Sequence, residues 1–133
     1  MEIKTHQKIS PRLVGEPIEV IEGVKASVRL YASNEMAVDN HNLVHGGFTF
    51  GVADYAAMIA INHPNVVLGG GSIKFITPVK TVDLMIAEAR VATIEGRKRE
   101  VTVDVKVDEK VVFTGILSCF ILDRHVLAAI DSR

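Results

Sequence analysis

Residues 48–61, FTFGVADYAAMIAI, are apolar or small at almost every position except Asp54. A helix of that composition has no polar face and must be buried nearly all round. A single helix of this kind calls for a curved sheet wrapped around it, and the rest of the chain supplies strands. Residues 17–22 and 24–32 alternate apolar and polar positions, the period of two that marks half-buried strands, with Glu22-Gly23 as a turn between them. Residues 33–44 are rich in Asn and Asp and form a loop into the helix. The helix stops at Asn62, before His63-Pro64, because the position preceding a proline is disfavoured in helical geometry. A second loop holds Gly69-Gly70-Gly71. Strands follow at 71–77, 82–94, 97–108 and 110–122, with turns at Glu95-Gly96 and Asp108-Glu109. Residues 5–14 form a short helix interrupted by Pro11, and the tail 124–133 forms another. Hairpin-linked strands around one helix give an α+β class with an antiparallel sheet. With no linker, repeat or low-complexity tract, residues 1–133 read as one domain.

The helix carries its chemistry at two places. Asp54 is a carboxylate among apolar neighbours, and a buried acid without a partner is costly enough that it commonly has a task. The chemistry open to it is general base on a hydrolytic water, or direct nucleophile. At the helix start, His45-Gly46-Gly47 leaves the backbone N–H groups of the first turn open to a ligand such as a polarised carbonyl. Asp54 lies eight residues beyond Gly46. That is roughly 12 Å along a helix axis, too far for one small group to meet both. If the two share a site, they come from two copies of the helix packed antiparallel, and the protein is a homodimer.

His45-Gly46-Gly47, Asp54, Ala56-Ala57 and Asn62 together resemble the central helix of hotdog-fold acyl-CoA thioesterases, and within them the phenylacetic-acid-degradation group. The resemblance implies a hotdog fold, a curved antiparallel sheet around one long helix. It also implies hydrolysis of an acyl-CoA, or of an acyl-carrier-protein thioester, to the free acid. In such enzymes the N–H of the first glycine after the His polarises the thioester carbonyl, which carries over to Gly46. The activating carboxylate crosses the dimer interface, which carries over to Asp54. Gly47 would let the substrate approach the backbone. His45 is expected to order its neighbours by hydrogen bonds. Many relatives have an Asn six residues before that His. Here the position is Asp39, followed by Asn40, and Asn42 stands where Gly is frequent. Either Asn40 or Asn42 takes that role, or the substrate end of the site differs. Coenzyme A carries phosphates, for which Arg97, Lys98 and Arg99 are the densest basic cluster, with Lys74 and Lys80 flanking another strand. Ser72 is a candidate to hold the lytic water.

Composition narrows the alternatives. The formal net charge of −1 shows no basic surplus for nucleic acid. No apolar run approaches the roughly 20 residues of a membrane span. The N-terminal residues lack the apolar core of a signal peptide, and one cysteine, Cys119, permits no internal disulfide, so the cytoplasm is expected. Cys119 is read as a small buried hydrophobe. The histidines lack the spacing of a metal site, and neither metal nor cofactor is expected. Two other functions compete. A hydratase or dehydratase of the same fold typically works with a His and an acid beside the carbonyl, which the placement of Asp54 argues against. A non-catalytic acyl-CoA sensor is the second. The sequence leaves dimer and pair of dimers open, and does not decide whether Ala56, Ala57 and Ala60 make room for an acyl chain or pack.

Overall fold

A computed structural model describes residues 2–131. The elements run α1 (Pro11–Val14), β1 (Glu16–Ile21), β2 (Lys25–Tyr31), a 3-10 turn (Asn34–Met36), α2 (Gly46–Ile61), β3 (Val66–Phe75), β4 (Leu84–Glu95), β5 (Lys98–Val107), β6 (Lys110–Ile121) and α3 (Val126–Asp131). The six strands form one sheet in the order β1-β2-β4-β5-β6-β3, with every pairing antiparallel. The sheet wraps around α2, and the architecture is the hotdog fold.

The apolar sequence of α2 explains its place. Ten of its sixteen residues are buried, among them Val52, Ala53, Ala56, Ala57, Ile59 and Ala60, which are fully inaccessible. They meet the inner face of the sheet, built from Val28, Ala87, Val101, Val103, Val105, Phe113 and Leu117. Burying a side chain the size of Ile59 or Phe113 contributes about 1.5–3 kcal/mol each. Ala56, Ala57 and Ala60 are therefore packing residues, since small side chains let the helix axis approach the sheet closely. They leave no open room for a chain.

Local chemistry sets the ends of the elements. Asn62 ends α2 in the left-handed conformation at φ 57° and donates its N–H to the Met58 carbonyl. Its side chain accepts from the Lys4 N–H at 2.8 Å and donates to the Glu2 carbonyl at 2.7 Å. The N-terminal residues thus strap down the end of the helix, a long-range contact no local pattern announces. Asp108 and Glu109 both have positive φ, as a tight two-residue turn between twisted antiparallel strands requires.

Three expectations change. Pro11 does not interrupt a helix over 5–14; it begins α1, with Ser10 as its cap, because proline lacks only the N–H that a first helical residue leaves unused. The glycines at 69–71 are not a loop. They lie within β3, which pairs with β6 through a bulge between Leu68 and Gly70. A Cβ on Gly69 would overlap the Phe120 ring, and one on Gly71 would lie 2.8 Å from Leu117 Cδ2. Gly69 and Gly71 serve close packing, which in sequence looks the same as turn chemistry. The fourth strand begins at Leu84, two residues later than expected, because Val82 sits at φ 71° and breaks the extended run.

Candidate active site

The start of α2 is held by His45. Its N–H bonds to the Met36 carbonyl at 2.9 Å, and its ring Nδ1 accepts the Gly47 N–H at 2.7 Å. The hydrogen-bond pattern thereby assigns the ring proton to Nε2. A Cβ on Gly47 would lie 2.8 Å from that Nδ1, so the cap itself demands glycine there. The Phe48 N–H goes to the His45 carbonyl at 3.1 Å. Of the two glycine N–H groups expected to be open, that of Gly47 is thus occupied. The Gly46 N–H has no acceptor among the described residues. It sits at the positive end of a sixteen-residue helix, a place that favours an oxyanion.

Two turns further on, Asp54 is half-buried, and its Oδ1 is buried with no hydrogen-bond partner among the described residues. Loss of water pushes its pKa from 3.8 up to about 6. The Cys119 thiol on β6 is fully buried and is pushed up to about 12, first by burial and then by the negative charge of Asp54. The thiol therefore lies within the field of the carboxylate, on the sheet face that packs against α2. That proximity joins two elements distant in sequence and has no sequence signal.

The other candidates divide. Asp39 Oδ1 accepts the N–H groups of His41 at 2.9 Å and Leu43 at 3.3 Å, so this side chain shapes the loop ahead of α2. Asn42 adopts φ 65°, and its carbonyl takes the Thr81 N–H at 2.9 Å. Asn and Gly are the residues that tolerate this conformation, which accounts for Asn at a position where relatives often have Gly. Asn40 is exposed in the same loop. Ser72 pairs with Ile116, whereas the neighbours that face α2 are Gly71 opposite Leu117 and Ile73 opposite Gly115. Strand alternation therefore puts Ser72 on the outer face, away from Asp54 and Gly46. Arg97 is engaged by Asp123 at 2.6 Å and Lys98 by Glu100 at 3.6 Å, while Arg99 donates to the Gly96 carbonyl at 2.7 Å. Lys74 and Lys80 make no ion pair among the described residues. His63 holds the Asn65 N–H at 3.0 Å.

Beside this helix, β3 is a free edge of the sheet, and every residue from 69 to 76 is exposed. Ile73, Phe75 and Ile76 are 37%, 55% and 54% accessible. Long exposed edges with apolar side chains are normally covered, since their unpaired backbone groups invite another strand.

A half-buried acid and an open helix N-terminus thus lie two turns apart on the central helix of a hotdog fold. Residues 41–114 match the thioesterase superfamily model, and the chain belongs to that family. An Aquifex aeolicus protein named methylthioribose-1-phosphate isomerase is 46% identical over 124 residues, covering 92% of this chain but 27% of that protein. Transcription factor FapR of Caldanaerobacter subterraneus is 31% identical over 107 residues, 80% of this chain and 54% of FapR. The chain thus spans about a quarter and about half of these two relatives. Among solved structures, an uncharacterized protein from Pyrococcus horikoshii is 48% identical, with a TM-score of 0.93 and coverage of 96% of this chain and 97% of that one. The phenylacetic acid degradation protein PaaI of Thermus thermophilus shares the fold at 23% identity and a TM-score of 0.75, covering 83% and 95%. So does a hypothetical thioesterase of Streptococcus pneumoniae solved with coenzyme A, at 16% identity and a TM-score of 0.72, covering 83% and 87%. Among the described residues no helix is long and apolar enough to cross a membrane.

Proposed function

We propose that this protein is a cytoplasmic acyl-CoA thioesterase of the phenylacetic-acid-degradation type, a single domain acting as a homodimer. The observation that carries the reading is Asp54, whose buried Oδ1 has no hydrogen-bond partner among the described residues. A buried acid without a partner is costly, and such groups cluster at functional sites.

The thioester carbonyl accepts the Gly46 N–H of one subunit. Its carbon faces Asp54 of the partner subunit, which removes a proton from water as the water oxygen attacks. The carbon–oxygen bond forms, and negative charge moves onto the carbonyl oxygen against the helix N-terminus. The intermediate then collapses, the carbon–sulfur bond breaks, and the proton on Asp54 passes to the leaving thiolate. A base with a pKa near 6 suits this cycle, being ionised at neutral pH and still able to accept a proton. Direct attack by Asp54, followed by hydrolysis of the anhydride, uses the same two groups. The free β3 edge supports the dimer, since pairing two copies there gives its unpaired backbone groups partners and brings the helices together. A carrier-protein thioester is an alternative form of the substrate, and two dimers can associate through surfaces that β3 does not use.

The likeness to FapR favours one second reading, a domain that binds acyl-CoA without cleaving it. The match spans 27% of the Aquifex relative, so its isomerase name is not carried over to this chain. One experiment separates catalysis from binding. Thiol release from a panel of acyl-CoA and acyl-carrier substrates is measured for the wild type and for Asp54→Asn. Hydrolysis by the wild type, reduced about 10²–10⁴-fold in the variant, is expected for loss of a general base. Tight binding with no turnover by the wild type supports the sensor, and full turnover by Asp54→Asn removes Asp54 from the mechanism.

A further inference from the structure

We infer that Phe75 is the specificity-determining residue of this site, the wall against which the acyl group packs, and that it favours apolar acyl groups of about six carbons or more over acetyl. The inference rests on the thioesterase reading above and adds to it where the acyl group lies.

Phe75 ends β3 on the sheet face that packs against α2, opposite Phe113. A Cβ on Gly46 would lie 3.2 Å from its Cε1 and 3.6 Å from its Cζ, so the ring stands directly against the residue that offers the open N–H. The ring is 55% exposed. It is also held firmly: it packs edge-on against the fully buried Phe113 at 5.2 Å, and Phe113 in turn packs against Phe50 at 6.3 Å. A rigid aromatic surface with one open side is a good anchor for an apolar ligand, because little conformational freedom is lost when it is covered.

A carbonyl bound at the Gly46 N–H has two substituents. The thioester sulfur leads to an arm with amide groups that need hydrogen-bond partners. The acyl group has no such need. Phe75 and Ile73, which share this face of β3, offer only apolar side chains, which suits the acyl group and not the amide arm. The other place an acyl chain might enter is closed, since Ala56, Ala57 and Ala60 are fully inaccessible against the sheet. An acetyl group is too short to cover the ring, whereas a hexanoyl group spans it.

The test compares wild type, Phe75→Ala and Phe75→Leu on acetyl-, butanoyl- and hexanoyl-CoA, reading kcat/KM and, separately, affinity by calorimetry. In Phe75→Ala, kcat/KM for hexanoyl-CoA should fall about ten-fold further than for acetyl-CoA, with Phe75→Leu between the two. Tenfold corresponds to about 1.4 kcal/mol. Equal changes across the panel would overturn the inference. So would conversion of the protein to a monomer by Phe75→Ala, seen by light scattering, because Phe75 would then be covered by the partner copy. If the wild type hydrolyses none of the three, the affinities decide about Phe75 through the same ratio, and equal affinities would overturn the inference whatever the wider substrate panel shows for the thioesterase reading.

Discussion

Asp54→Asn should remove most of the activity and at the same time make the protein more stable at neutral pH. The reason lies in the unpartnered Oδ1 and the raised pKa of this carboxylate. In the unfolded chain the group ionises near 3.8, and in the fold near 6. Between those values the folded state holds a proton that the unfolded state has released. Stability therefore falls as pH rises from about 4 to about 6, and the loss is complete above the folded value. A difference of roughly two pH units corresponds to about 3 kcal/mol, an upper bound because partial exposure lets water screen the charge. A gain of about 1–3 kcal/mol is thus expected when the charge is replaced by a neutral amide of the same shape. For a domain of this size that raises Tm by several degrees. Calorimetry of wild type and Asp54→Asn at pH 7.5 and pH 4.5, with light scattering to confirm equal oligomeric state, measures it. The Tm gap should be largest at pH 7.5 and much smaller at pH 4.5, closing fully only below the unfolded value of 3.8. A variant less stable than the wild type at pH 7.5, or a gap independent of pH, would refute the reasoning. Either would mean that the carboxylate has a stabilising partner in the assembly and is not a strained group kept for chemistry.

Gly46→Pro should fold, since the Gly46 N–H has no acceptor among the described residues and His45 already has the extended ψ of 129° that precedes proline well. Its turnover should drop about 10²–10³-fold with acyl-CoA affinity little changed, because an oxyanion donor acts chiefly in the transition state; normal turnover in the folded variant would remove Gly46 from the mechanism. His45→Ala should lose about 1 kcal/mol of stability with the cap on the Gly47 N–H, and should lose less activity than Asp54→Asn. Denaturant unfolding and kcat for the two variants check this, and a folded His45→Ala that is the less active of the pair would move the base to His45. The kcat of the wild type should rise with pH through about 6 and then level off, as a base that must be ionised requires; a fall across that interval would point to an acid in place of a base.

Much of this protein can be read locally. The run 48–61 by itself requires a buried helix, because no arrangement of its side chains presents a polar face to water. The alternation at 24–32 and the turn at Asp108-Glu109 mark strands and a hairpin for equally local reasons. Asp54 stands out because a charge among apolar residues is costly wherever the chain is folded. The helix-start triplet is legible too, although its two glycines differ in role: the His45 ring occupies the Gly47 N–H and leaves that of Gly46 open. What only the tertiary structure decides is which distant residues meet. Gly69 and Gly71 look like loop residues until the Phe120 and Leu117 side chains lie over them. Ser72 looks available to the site until the register with β6 turns it to the outer face. The basic hairpin at 97–99 looks free until Asp123 and Glu100 are seen beside it. Phe75 and Cys119 carry no motif, and they acquire meaning only when the sheet closes on α2 and sets one against Gly46 and the other within the field of Asp54. Periodicity and isolated charge are properties of a segment. Register, burial and pairing are properties of the whole chain, because each depends on where every other strand has come to rest.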